Sequence, residues 1–208
     1  MQIFPFDKID EAIDSFKTTQ PIKDIVFVTG NNNKVKELQS FLHVDGVSIT
    51  TRDIDLLEIQ DADVLNIVAA KCKGAYERIR REGRTNCCVM IEDTCLGFRA
   101  LNGMPGPYIK WFMKAVGAEG LHQMLVGFED KRAEAVCIYA LMTDESRILF
   151  CRGSVQGRIV EPRGASWGWD PVFEEERCSR TFGELKGEEK LRFSHRSAAL
   201  TVLKKILS

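Results

Sequence analysis

A chain of 208 residues with 44% hydrophobic content can bury one substantial core. Its 29 Lys and Arg against 30 Asp and Glu leave a formal net charge of −1, which lacks the basic footprint of bulk nucleic-acid binding yet allows a local cationic pocket. No apolar run reaches the 18 or so residues a membrane helix needs, and the seven Cys, odd in number and without a recurring Cys-x-x-Cys, read as reduced thiols of a cytoplasmic protein.

Residues 1–21 carry Asp7, Asp10, Glu11 and Asp14, an acidity that fits neither a secretory signal nor a transit peptide. They form an N-terminal extension in which the spacing of Ile9, Ile13 and Phe16 permits a short amphipathic helix. Ile22 to Thr29 is a short apolar, β-branched run and predicts a buried strand. The turn Asn31-Asn32-Asn33 follows, then a helix with Val35, Leu38, Phe41 and Leu42 on one face. Val47 to Ile54 predicts a second strand. Asp63 can cap the next helix, whose stripe runs through Val64, Ile67, Val68, Ala75, Tyr76 and Ile79.

Cys87 to Ile91 predicts another short buried strand with Glu92, Asp93 and Thr94 at its C-terminal end. In this reading Cys87, Cys88 and Cys137 act as small core residues. Gly103 to Pro107 is a tight loop before a helical Tyr108 to Lys114. Ala133 to Thr143 and Ile148 to Val160 predict two long antiparallel strands joined at Asp144-Glu145-Ser146. Gly164 to Pro171 is an aromatic loop, and Ser194 can cap a last helix with Leu200, Leu203 and Leu207 inward. Strands and helices alternate early and a hairpin comes late. The pattern predicts an α/β fold with a mixed central β-sheet flanked by helices, in two lobes with a cleft between them.

Four groups of residues carry candidate chemistry. Thr29-Gly30-Asn31-Asn32-Asn33-Lys34 is a strand–turn–helix junction: a helix start offers backbone N–H groups and partial positive charge to phosphate, and Lys34 adds a full charge. The segment lacks the glycines and Lys-Ser/Thr ending of a Walker loop, and an ordinary Asn/Gly turn has the same look. Glu58 with Glu92-Asp93 supplies hard oxygen ligands for Mg²⁺ if the strand ends converge, and solvated surface acids otherwise. Lys71, Lys110, Lys190 and Arg196 matter only if the fold gathers them. Ser166-Trp167-Gly168-Trp169-Asp170 and Ser194-His195-Arg196 offer aromatic faces and polar groups, either as core plugs or as a platform for a planar base.

Taken together, these segments resemble the inosine triphosphate pyrophosphatase family, nucleotide hydrolases related to the Maf proteins, in its eukaryotic branch. The strings that carry the likeness are Val26-Phe27-Val28-Thr29-Gly30-Asn31, Ile91-Glu92-Asp93-Thr94-Cys95-Leu96, Gly106-Pro107-Tyr108-Ile109-Lys110-Trp111-Phe112, Gly127-Phe128-Glu129-Asp130-Lys131, Gly168-Trp169-Asp170-Pro171 and Ser194-His195-Arg196. They run in order from Ile22 to the C-terminus, so residues 22–208 are expected to form a single catalytic domain.

The resemblance implies roles position by position. Thr29, Gly30, Asn31, Asn32, Asn33 and Lys34 match the phosphate-binding turn, while Glu58 and Asp93 match the metal-linked carboxylates, Asp93 and Thr94 also facing substrate. Asp93, Glu58 and Lys34 are the expected catalytic residues. Lys71, Lys110 and Lys190 match nucleotide-contacting lysines; Trp167, Gly168, Trp169 and Asp170 match the base-binding loop; His195 and Arg196 match the pair that closes over the base. Trp167 stands where other members carry Phe. The resemblance further implies Mg²⁺-dependent hydrolysis of ITP, dITP and XTP to monophosphate and pyrophosphate, with Mn²⁺ as a substitute metal. It also implies a small-molecule nucleotide as partner, a homodimer, and no nucleic-acid or membrane partner. Within the same scaffold, a Maf-like taste for modified pyrimidines is the rival, and a non-catalytic nucleotide sensor is the rival outside catalysis.

Overall fold

A computed structural model describes residues 2–3, 22–165 and 167–208. The helix expected around Ile9 and Phe16, and Ser166 of the aromatic loop, lie outside the described residues. The chain divides into two compact units, one of Met1–Asp93, Ile138–Arg152 and Ala199–Ser208, the other of Thr94–Cys137 and Gly153–Ala198.

In the first unit, β1 (Gln2–Ile3), β2 (Asp24–Val28), β3 (Ser48–Arg52), the start of β4 (Cys88–Phe98), the end of β6 (Arg132–Asp144) and the start of β7 (Arg147–Ile159) form a mixed sheet. β2 pairs in parallel with β3, from Asp24↔Ser48 to Val28↔Arg52, and with β4, from Ile25↔Cys88 to Phe27↔Met90. Ile25, Val26, Phe27 and Val28 are all buried, so both faces of this inner strand are covered, which matches its unbroken apolar run. β3 has the exposed sequence of an edge.

Two helices belong to this unit. α1 (Asn32–Phe41) buries Leu38. α2 (Val64–Arg81) is capped by Asp63, which accepts from the Leu65 amide at 2.9 Å, and buries Ile67, Val68, Cys72, Ala75, Tyr76 and Ile79. α2 is tied to β6 by polar bonds: the Tyr76 hydroxyl donates to the Thr143 carbonyl at 3.4 Å and Arg80 donates to the same oxygen at 2.9 Å. β6 and β7 are joined at Glu145–Ser146, where Asp144 accepts from the Ser146 amide at 2.9 Å. Ala199 to Leu207, the later part of the last helix, also belong to this unit, and there Leu200, Leu203 and Ile206 are buried; Ile206, rather than the expected Leu207, completes the stripe.

In the second unit, the end of β4, the start of β6, the end of β7, β8 (Phe173–Glu175) and β9 (Arg180–Thr181) continue in that order, with β5 (Pro105–Gly106) antiparallel to β4. β7 runs antiparallel to β8 through Gly157↔Glu175 and Ile159↔Phe173. The core gathers Leu96, Phe98, Leu121, Trp169, Phe173 and Phe182. α3 (Ile109–Gln123) runs past the expected end at Lys114, with a break at Gly117, and α4 (Glu188–Phe193) precedes α5 (His195–Leu207).

One expectation is corrected. Glu92, Asp93 and Thr94 are not at the end of a short strand but in the middle of the eleven-residue β4. Pairing with β2 stops at Met90, Leu96 and Gly97 pair with Gly106 and Pro105, and β6 is a further neighbour of β4. Glu92 and Asp93 therefore sit just past the C-terminal end of the parallel ladder, the position where sheets of this kind bind ligands. Among the described residues, no helix is long and apolar enough to cross a membrane.

Candidate active site

The first unit brings together three of the expected residues. The Lys71 ammonium, on the third turn of α2, lies 2.7 Å from Glu58 Oε1 and 3.2 Å from Asp93 Oδ2. Glu58 comes from the irregular stretch between β3 and α2, and Asp93 from β4. Burial opposes the charge on Lys71, but the carboxylates of Asp93 and Glu58 outweigh it and hold its pKa above the ordinary lysine value.

Next to Asp93 on β4, Glu92 pairs with Lys34, whose ammonium lies 2.8 Å from Glu92 Oε2 and donates to the Glu92 carbonyl at 3.1 Å. Lys34 is thus held by a buried carboxylate rather than standing open in the first turn of α1. The turn also satisfies several of its own amides. Asn31 N–H donates to Thr29 Oγ1 at 3.1 Å, and Asn31 Oδ1 accepts from the amides of Asn33 at 2.9 Å and Lys34 at 3.4 Å. This is a helix N-cap closed by its own side chain. A Cβ on Gly30 would lie 2.7 Å from Asp53 Oδ1, the end of an exposed side chain that would have to turn aside. Asn32 is exposed beside it.

The second unit holds the aromatic group. The Lys190 ammonium lies 2.6 Å from Asp170 Oδ2. It also sits 5.6 Å from the centroid of the Trp167 ring and 5.7 Å from that of Phe182. The Arg196 guanidinium approaches the Trp167 centroid to 5.8 Å. His195 packs on Phe182 with centroids 5.6 Å apart and planes 10° apart, and on Trp169 at 5.3 Å. The two Trp residues differ: Trp169 is 9% exposed and belongs to the core, whereas Trp167 is 36% exposed. Gly168 separates them with φ +65, a backbone conformation that a β-carbon disfavours, and so turns one indole inward and the other outward. His195 and Arg196 are buried, and Ser194 Oγ caps the helix by accepting from the Ser197 amide at 3.1 Å. Lys110 is exposed on α3, its ammonium 5.5 Å from the Trp111 centroid, and Thr94 is half-buried on β4.

Three participants escaped the sequence reading of roles. Glu92 as the holder of Lys34 was legible only as a neighbour in the Glu92-Asp93 pair. Phe182, which stacks on His195, lies next to a two-residue strand and gives no periodic signal. Asp53 meets Gly30 only through the register of β2 and β3.

The donor chemistry fits a hard divalent cation. Two carboxylate oxygens from separate segments face one point, and that point already holds a positive charge, the Lys71 ammonium. No group of three or more His, Cys, Asp or Glu that could hold a metal is found among the described residues, so water and phosphate oxygens would have to complete the shell.

Residues 25–206 match the model of the Ham1 family. The inosine triphosphate pyrophosphatase of Yarrowia lipolytica is 43% identical over 187 residues, spanning 88% of this chain and 95% of its own. Among solved structures, a HAM1 protein from Coxiella burnetii superposes with a TM-score of 0.75 at 28% identity, covering 89% of this chain and 98% of its own. A nucleoside-triphosphatase / dITP/XTP pyrophosphatase from Mycobacterium abscessus gives 0.65 at 27% identity, covering 86% and 98%. The shared fold, the span of the match and the level of identity all lead to one conclusion: the chain belongs to the Ham1 family.

Proposed function

We propose that this chain hydrolyses deaminated purine nucleoside triphosphates, ITP, dITP and XTP, to the monophosphate and pyrophosphate. The observation that carries the reading is the meeting of Glu58 and Asp93 at a single cationic point, 2.7 and 3.2 Å from one ammonium. The names of the relatives support the reaction class and the substrates.

Glu58 and Asp93 would hold Mg²⁺, with Mn²⁺ able to substitute; when bound, the ion neutralises polyphosphate charge and favours departure of pyrophosphate. A triphosphate brings a charge near −4, and Lys71, beside the two carboxylates in the first unit, supplies part of the compensation that its desolvation requires. Asp93 orients the attacking water. Water adds to the α-phosphorus, the bridge to the β-phosphate breaks, and pyrophosphate leaves.

The aromatic group receives the base. Trp167 offers its exposed face for stacking, and Asp170, Lys190 and Arg196 frame it. Hypoxanthine and xanthine present a 6-oxo acceptor and an N1–H donor, where adenine has an amino donor and a bare N1. A pocket built for the former mispairs two groups with adenine, at about 1–3 kcal/mol each, so discrimination of roughly 30-fold or more is expected.

The family match runs through both compact units, which supports residues 22–208 acting as one catalytic domain behind an extension of residues 1–21. We infer a cytoplasmic homodimer without nucleic-acid or membrane partners. The deciding experiment is product identity from ITP and from ATP, with and without Mg²⁺. IMP with pyrophosphate, metal-dependent and faster from ITP, is the expected outcome; IDP with phosphate overturns attack at the α-phosphorus, and tight binding without turnover favours a sensor.

A further inference from the structure

Resting on the assignment of Glu58 and Asp93 as the metal carboxylates, we propose that Lys71 is the resident cation of that pair. Its ammonium holds the metal's place until a metal–nucleotide complex arrives, and then passes to the polyphosphate. The protein accordingly binds divalent metal poorly by itself and strongly together with nucleotide.

The geometry sets up a competition. Mg²⁺ needs its oxygens at about 2.1 Å. The Lys71 ammonium already occupies the convergence point of Glu58 Oε1 and Asp93 Oδ2, and two cations cannot share it. The lysine is well placed to hold that point, because it rises from the interior of an eighteen-residue helix whose N-terminus is capped by Asp63. It is also well suited to leave: its four-carbon stem is flexible, and an ammonium is a compact charge that moves between acceptors without fixed fork geometry.

The carboxylates alone make a poor metal site. An octahedral ion held by two carboxylates keeps most of its waters, and such sites ordinarily bind the ion together with substrate phosphates; among the described residues no third His, Cys, Asp or Glu completes a cluster. Phosphate oxygens supply both missing needs at once, as ligands for the ion and as a new acceptor for Lys71. Each ligand therefore removes an obstacle to the other, and the coupling is reciprocal.

Binding of Mn²⁺, followed through the EPR signal of the free ion, tests the proposal without turnover. With wild-type protein, binding of Mn²⁺ alone is expected to be weak and to tighten strongly with α,β-methylene ITP. Lys71→Met removes the competing charge and is expected to tighten binding of Mn²⁺ alone by roughly tenfold or more, with the coupling to the analogue reduced. Lys71→Gln provides a second neutral variant and Lys71→Arg keeps the charge, so weak metal-only binding should persist in the latter. If both neutral variants bind Mn²⁺ no more tightly than wild type while the wild type still couples metal to analogue, the role of Lys71 is overturned and the metal site stands. If Glu58→Gln and Asp93→Asn bind Mn²⁺ with the analogue as well as wild type does, the metal assignment itself fails.

Discussion

The Lys190 ammonium lies 2.6 Å from Asp170 Oδ2 with both side chains nearly buried, at 12% and 6% exposure. Breaking one half of such a pair leaves an uncompensated charge in a dry place, at a cost of about 3–5 kcal/mol. Lys190→Met is therefore expected to lower stability by that order in urea unfolding, and Asp170→Asn combined with Lys190→Met to recover much of it. A single variant as stable as wild type would show that water reaches the pair freely.

Asp93→Asn should keep the fold and lose nearly all turnover, a drop of roughly 100-fold or more in kcat, as expected when a charge that organises the reacting groups is removed. Glu58→Gln should behave alike. The check is pyrophosphate release from ITP beside an unfolding curve that matches wild type.

The two indoles should separate binding from stability. Trp167 is half-open, so Trp167→Ala is expected to raise KM by about 5- to 150-fold, the range for one lost stacking partner of about 1–3 kcal/mol, with little change in stability. Trp167→Phe should retain most of the binding. Trp169 packs on Phe173, Phe182 and His195, and Trp169→Ala should cost about 3–5 kcal/mol of stability through the cavity it opens. A Trp169→Ala variant of normal stability with only a raised KM would place that indole in the binding surface instead.

Glu174 provides an acid-sensitive point. Burial favours its neutral form, but the guanidinium groups of Arg163 and Arg158 outweigh that and lower its pKa from the ordinary 4.5. A depressed carboxyl contributes stability that is fully present above the unfolded value and is lost as pH falls through the folded one. Wild type should lose stability below about pH 4.5 more steeply than Glu174→Gln, as read by urea midpoints at pH 6, 4 and 3.

Thiol reactivity should sort by burial. Burial pushes the Cys88 thiol up to about 12 and raises Cys72 and Cys151 as well, so all three should resist iodoacetamide at neutral pH in the folded protein. Cys87 and Cys178 are only half-buried and should label first, with peptide mass spectrometry as the readout.

Elements whose signal is local are legible in the chain alone. The β2 run, the Asp63 cap, the stripe of α2 and the β6–β7 hairpin follow from apolar spacing and turn chemistry within a dozen residues. The motif strings likewise pointed to the family before any coordinate did. Pairing between distant segments emerges only in the folded chain. β4 continues past Glu92 and Asp93 to pair with Pro105 and Gly106, and Lys34 is held by Glu92 across 58 positions of chain. The same holds for Lys71, which stands between two carboxylates 13 positions before it and 22 after it. It holds too for the opposite fates of Trp167 and Trp169, which one glycine's backbone sets and no hydrophobicity scale separates. Side-chain charge and aromaticity are written in the chain, but the partner each meets is fixed by strand register and helix placement, which are cooperative properties of the whole fold.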